Sequence, residues 1–192
     1  MNNIAVDCYS DGTATGSKQI GGLQLLVADS PTTGTVGGIN RATWTFWRNY
    51  AGSGTFTAAG IQAGLNTMYV NLVRGKDRPD LFLADNTAYT SYLGSLQAIQ
   101  RITSDKMATA GFTSLKFMDG DFVLDGGIGG GAPSSHVYAL NTDYIYYNPH
   151  RDRNMVPLDP ERFSVNQDAM IKIIGFAGNL TLGNAQLQGV LK

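Results

Sequence analysis

The sequence predicts an α+β fold in which a mixed sheet is flanked by helices. Three observations predict it. Apolar residues recur at helical spacing between Ile61 and Leu72, and a run of strand length is framed by Asp80 and Asp85. The second half is dominated by aromatic and β-branched runs separated by turn residues. With 192 residues, the chain supports a sizeable core, since a chain of this size buries roughly 70% of its unfolded surface.

The first forty residues carry Gly12, Gly16, Gly21, Gly22, Gly34, Gly37 and Gly38 around one apolar run, Leu23 to Ala28, so loops surround a short strand or turn. From Ile39 to Tyr50, the pattern INRATWTFWRNY sets Trp44, Trp47 and Arg48 on neighbouring helical positions and predicts a short helix. Thr57 is placed to cap the next helix, whose apolar positions are Ile61, Leu65, Met68 and Leu72, with Arg74 and Gly75 at its end. The run Leu81-Phe82-Leu83-Ala84 has no polar residue on either face and reads as a central strand buried on both. Asp85 or Asn86 then caps a helix from Thr87 to about Gln100, with Tyr89, Tyr92, Leu93, Leu96 and Ile99 on one face.

Beyond the polar segment ITSDKMATAGFTS, Leu115–Phe117 and Phe122–Leu124 flank Met118-Asp119-Gly120-Asp121, where the Asp-Gly pair predicts a hairpin turn. Gly126 to Gly131 reads as a flexible loop, and His136 to Leu140 and Tyr144 to Tyr147 as further strands of the sheet. His150 to Gln167 reads as a charged loop containing Pro157 and Pro160. Ala169 to Ile174 and Phe176 to Leu182 read as one long strand interrupted by Gly175 and Gly178.

Composition narrows the function classes. Fourteen Lys and Arg against fifteen Asp and Glu give a net charge of −1, which offers no positive field to grip a polyanion or an anionic membrane. Charged residues make up 15% and glycines number 24, against usual shares of about 25% charged and about 7% glycine. No apolar stretch approaches the roughly 20 residues of a membrane-spanning helix. The single cysteine, Cys8, has no internal partner, and the opening MNNIAVDCYSDG has neither a basic region nor an apolar one, which points to a reducing cytosol.

Candidate chemistry is sparse. Gly127-Ile128-Gly129-Gly130-Gly131-Ala132 matches half of a dinucleotide fingerprint, but Pro133, Ser134 and Ser135 lead into a strand where a phosphate site needs a helix N-terminus. Asp119, Asp121 and Asp125 resemble a calcium loop whose order Phe122 and Val123 break, leaving a solvated turn. Ser135 with His136, and Cys8 with His136 or His150, are the nucleophile and base pairings on offer, and no nucleophile elbow or cysteine signature surrounds them. His136 is expected to be a packed or surface residue. Asn179-Leu180-Thr181 is a chance sequon inside a strand. No catalytic residue, metal ligand or cofactor site is assigned, and the chain is expected not to be an enzyme. The charge cluster Arg151, Asp152 and Arg153, with Asp159, Glu161 and Arg162, reads either as a solvated loop or, more sharply, as an intersubunit contact of Arg forks with carboxylates of another copy. Trp44, Trp47, Tyr146 and Tyr147 are expected in the core, with interface anchoring as the alternative.

Taken in order, these segments resemble the major capsid proteins of tailed bacteriophages and prophages with the Hong Kong 97 fold. Pro79 to Asp85 and the following helix resemble the centre of the capsid A-domain. Leu115 to Leu124 with Gly126 resemble its next strand segment, and Ala139 to Tyr144 the return to the P-domain. Asn166 to Leu180 resembles the terminal P-domain strand, and GGLQLLVADSPTTGTVGGINRATWTFWRN is similar to a subgroup of these capsid proteins. The resemblance implies three parts: residues 1–20 as a remnant of the P-domain and spine connection, 21–142 as the A-domain, and 143–192 as P-domain return strands and loop. It implies a chain that corresponds to the C-terminal portion, without the N-terminal arm, the extended loop and most of the spine helix. By order, Ser104, Asp105 and Lys106 correspond to the A-domain tip near pentamer and hexamer axes, and residues 151–166 to a P-domain loop near three-fold contacts. The implied function is a self-assembling subunit of an icosahedral shell that encloses double-stranded DNA without specific binding. Scaffold or portal proteins are its other implied partners, no membrane is involved, and the location is the virion after assembly in the bacterial cytoplasm. Two other classes remain open: a small nucleotide-binding enzyme using Gly126–Gly131, and a phage-derived shell for protein cargo.

Overall fold

A computed structural model describes residues 4–13, 19–96, 114–126, 131–163 and 170–192. Two helical turns, α1 (Ile4–Asp7) and α2 (Leu23–Leu26), precede the small hairpin β1 (Thr35–Val36) and β2 (Ile39–Asn40). Strand β3 (Tyr50–Gly52), helix α3 (Ile61–Leu72), strand β4 (Leu81–Ala84) and helix α4 (Asn86–Ser95) follow. Among the described residues after α4, the remaining elements are the strands β5 (Ser114–Phe117), β6 (Gly120–Leu124), β7 (Val137–Leu140), β8 (Ile145–Pro149), β9 (Val156–Phe163), β10 (Met170–Gly175), β11 (Gly178–Leu182) and β12 (Gly189–Leu191), with one tight helical turn, Thr142–Tyr144, between β7 and β8.

Six strands form one mixed sheet in the order β3-β12-β7-β4-β6-β5. Its centre follows from β4, whose four apolar residues pair parallel with β6 (Phe82 to Phe122) and antiparallel with β7 (Phe82 to Ala139). Phe82 and Ala84 face the two helices, while Leu81 and Leu83 pack on the opposite cluster, so both faces are covered as expected. The helix side holds Ile61, Leu65, Met68 and Leu72 of α3, all fully buried, with Phe82, Phe117, Phe122, Tyr89 and Tyr92. Each such aliphatic side chain contributes about 1.5–3 kcal/mol on burial. The rings interlock: Phe82 meets Phe117 edge-on at 5.3 Å, and Tyr92 lies 4.4 Å from Phe122. The opposite face is covered by Tyr9, Leu23, Leu26, Val27 and Val36, with half-buried Trp47, Leu180 and Leu182.

The α3 spacing and the Asp85 cap match the sequence expectation. The Asp85 carboxylate accepts the N–H groups of Ala88 (2.9 Å) and Thr87 (3.1 Å). The part of the expected helix near Ile99 and Gln100 lies outside the described residues. Thr57 does not cap α3: Gly60 holds that position, and Thr57 receives the Gly60 N–H on its carbonyl (3.1 Å) and hydroxyl (3.3 Å), shaping the turn before the helix.

Other local expectations are corrected. Of the two readings of the Leu23–Ala28 run, strand or turn, the structure has a helical turn over Leu23–Leu26. The helix expected over Ile39–Tyr50 reduces to one tight turn, Thr45–Trp47, between β2 and β3. There the Asn40 side chain accepts the Ala42 N–H (2.8 Å), an Asx turn that competes with helix, and threonines 43 and 45 disfavour it further. The hairpin turn sits one residue earlier than the Asp-Gly pair, with Met118 at φ +52° and Gly120 already opening β6. A Cβ at Gly120 would stand 2.5 Å from Phe82 Cε2, so packing beneath the strand selects glycine there.

The largest correction concerns residues 144–182. β8 leaves the main sheet and pairs with β11. The expected charged loop contains the eight-residue strand β9, paired antiparallel with β10. The expected long last strand is broken at Phe176–Ala177 into β10 and β11, which belong to different two-stranded units. Pro160 is accommodated because the register slips between the pairs Ile171–Arg162 and Ile173–Leu158, leaving Asp159, Pro160 and Glu161 in a bulge.

Two stability predictions follow from this packing. Gly120→Ala should lose about 1–3 kcal/mol in urea denaturation, because Phe82 must shift. Burial pushes the Tyr92 phenol up from 10.0 to about 12, while its hydroxyl donates to the Lys116 carbonyl (2.8 Å). The raised value favours the protonated folded state, so stability should be intact below pH 10.0 and fall as pH rises toward about 12. Tyr92→Phe should lower the neutral-pH free energy of unfolding in urea by about 1 kcal/mol and flatten that alkaline fall.

Candidate functional site

The most distinctive surface is a long ribbon. β8 and β11 form its root and β9 and β10 its outer part. At the root, Ile145, Leu180 and Leu182 are half-buried against the sheet, and the Asn179 side chain accepts the Gly21 N–H at 2.8 Å, tying root to body. The outer part is joined through a kink at residues 150–155. There Ala177 brackets the excursion, accepting the His150 N–H (2.7 Å) and donating to the Arg153 carbonyl (2.8 Å), and Met155 adopts φ +56°. Of the ribbon side chains that the structure describes, Val156 and Pro157 of β9 and Lys172 to Ile174 of β10, none belongs to either core cluster. Val156, Ile173 and Ile174 are exposed.

The charged residues singled out from the sequence fall on this ribbon or outside the described residues. Arg151, Asp152 and Arg153 occupy the tip of the kink and are exposed. Their side chains form no ion pair among the described residues. The β9 backbone places Asp159 and Glu161 in the bulge and Arg162 opposite Ile171. Ser104, Asp105 and Lys106 lie outside the described residues.

Three of the four aromatics expected in the core are exposed instead. Trp44 is 54% exposed, Tyr146 51% and Tyr147 47%, while Trp47 is half-buried. Sequence reasoning weighted their size and apolarity over their position. Tyr146 and Tyr147 stand in a two-stranded unit that cannot cover both of its faces, and Trp44 precedes a turn where it packs edge-on against exposed Phe46 at 5.8 Å.

The polar cluster at the C-terminal ends of the parallel pair β4 and β6 is structural. The Asp85 carboxylate, besides capping α4, accepts the Ser135 N–H at 2.9 Å, and Asp125 receives the Tyr9 hydroxyl. The His136 ring lies 2.9 Å from an Asp29 oxygen and 2.7 Å from the Ser134 carbonyl. The α4 N-terminus is thus already filled by a carboxylate, which repels the phosphate that the glycine loop would need to hold there. Of that loop, residues 127–130 lie outside the described residues. Asp119 forms an ion pair with Arg78 at 2.6 Å. Among the described residues, no three His, Cys, Asp or Glu converge as metal ligands.

No protein-family model matches the chain, and no curated protein is significantly similar to it. Among solved structures, it is similar to a chain of the cyanophage A-1(L) capsid asymmetric unit, with a TM-score of 0.64 and 16% identity. The match covers 97% of this chain and 63% of that one. At this identity the likeness is one of fold.

Asp85→Ala should lower the melting temperature through loss of about 0.5–2 kcal/mol of capping, with a further loss from the unmet Ser135 N–H, read by circular dichroism.

Proposed function

We propose that the chain is a structural subunit of a phage or prophage-derived capsid of the Hong Kong 97 fold class, corresponding to its A-domain and part of its P-domain. The observation that carries this reading is the likeness of fold to a capsid chain along 97% of the sequence. The surface chemistry supports it. A near-neutral chain, with net charge −1, can line a DNA container without gripping its contents. A shell built from identical copies uses several modest patches on each subunit instead of one large apolar face. The exposed ribbon, the kink charges and the exposed aromatics are patches of that kind.

On this reading the subunits assemble into pentamers and hexamers of an icosahedral shell in the bacterial cytoplasm, with scaffold or portal proteins as further partners. Arg151 and Arg153 pair with carboxylates of a neighbouring copy, while Asp152, Asp159, Glu161 and Arg162 complete a contact of mixed charge. Ser104, Asp105 and Lys106 make the contact nearest the axis. The nucleotide-enzyme reading gains nothing from the geometry, because Asp85 fills the helix N-terminus it would use.

Negative-stain electron microscopy with light scattering on the purified chain tests the reading directly. Rings, sheets or shells are expected, and a monomer at all concentrations would count against it. The double variant Arg151→Glu, Arg153→Glu should keep the wild-type circular dichroism spectrum while losing these assemblies, and normal particles from it would remove the ribbon contact.

A further inference from the structure

Charge is unevenly distributed along the chain. Between Arg48 and Arg74 there is no Asp, Glu, Lys or Arg, and α3 lies wholly inside that interval. Its inner face is the buried set Ile61, Leu65, Met68 and Leu72. The opposite face exposes Ala63, Asn66, Thr67, Val70 and Asn71, with Val70 74% accessible. A surface helix ordinarily turns charged residues outward, whereas the centre of an interface is depleted of charge.

The polar groups on this face are already partly satisfied. The Thr67 hydroxyl donates to the Ala63 carbonyl at 2.9 Å, and the Asn71 amide donates to the Thr67 carbonyl at 2.7 Å. Covering them therefore strands fewer donors than covering freely hydrated ones would. At the N-terminal end of the same face, an open groove of about 270 Å³ runs beside the edge strand β3, lined by Tyr50, Gly54, Gly60, Ala63 and Thr67.

Charge complementarity selects the occupant. A charged partner surface would lose hydration here and meet no counter-charge. The chain itself carries exposed apolar side chains that its own body does not cover: Val156 and Ile173, which strand alternation and the pairing register set on one face of the β9–β10 ribbon, with Lys172 and Ile174 on the other. A two-stranded ribbon is marginal alone and gains from being laid on another surface. We infer that the ribbon of one copy seats on the outer face of α3 of the next. The inference rests on the shell-subunit reading and specifies one of its contacts. Because ribbon and helix face are different surfaces, the contact is head-to-tail and propagates into rings or lattices.

Complementation by two surface variants tests it. Val70→Glu blocks the helix face and Ile173→Glu blocks the ribbon face it shares with Val156, and both positions are exposed, so each variant should keep the wild-type circular dichroism spectrum and melting temperature. In sedimentation velocity the wild type should associate, and each variant alone should associate at least ~100-fold more weakly, since a glutamate would be buried without a partner. An equimolar mixture should form a heterodimer and stop there, because each variant retains the half the other has lost. Wild-type-like association of Val70→Glu would overturn the helix-face contact and leave the shell reading standing. A mixture that stays monomeric would show that the two surfaces do not match. A wild type that never associates would overturn both this contact and the reading on which it rests.

Discussion

Continuity of the main sheet rests on three residues. β12 is the only link between β3 and the strands β7, β4, β6 and β5 within the six-stranded order. Val190 points into the core on one face and Leu191 into the core beneath the helices. The fit is close, since a Cβ at Gly189 would stand 2.7 Å from Leu72 of α3. The preceding Gln188 is fully buried and uses its side-chain amide as a substitute peptide, accepting the Asn141 N–H (2.9 Å) and donating to the Asn141 carbonyl (3.1 Å). Its loss would leave two backbone groups unpaired in the core, a cost of about 1–3 kcal/mol each. Asn49 repeats the device at the sheet edge, bonding both the Ala28 N–H (3.1 Å) and carbonyl (2.9 Å).

This body and the ribbon divide the molecule's tasks. The body is held by two apolar clusters on either side of the sheet and by the buried side chains of Asp85, Asn49 and Gln188, which serve backbone groups. The ribbon root shares one of those clusters, while the described side chains beyond the kink share neither. Strength is thus concentrated where the chain contacts itself, and uncovered apolar surface is concentrated where it does not.

What could be read from the sequence was whatever its local chemistry decides. The α3 repeat, the Asp85 cap and the central strand around Phe82 have unambiguous periods or caps, and the structure matches them. The Asp-Gly turn was misplaced by one residue because the deciding contact, Gly120 against Phe82, is between strands distant in sequence. β12 carries no signal of its own: Gly-Val-Leu is too short to show a period, and its role comes from Tyr50 and Ala139 on either side. β9 was masked by its prolines and charges, which a strand tolerates only when its edge is open and its register can slip. The candidate contact residues at the kink were visible as charges. The uncharged face of α3 was visible only as an absence, and it became meaningful once Val70 was known to face outward.

The same irregularities that hid β9 also bear on solubility. A two-stranded ribbon offers backbone hydrogen-bonding groups along both outer edges, which is the template for indiscriminate strand addition and fibrous aggregation. Pro157 and Pro160 remove two donors from β9, and the bulge at Asp159–Glu161 twists that edge away from the straight register another strand would need. A chain that associates through such an arm is thereby steered toward side-chain recognition, which can be specific and reversible, and away from open-ended edge pairing, which is neither.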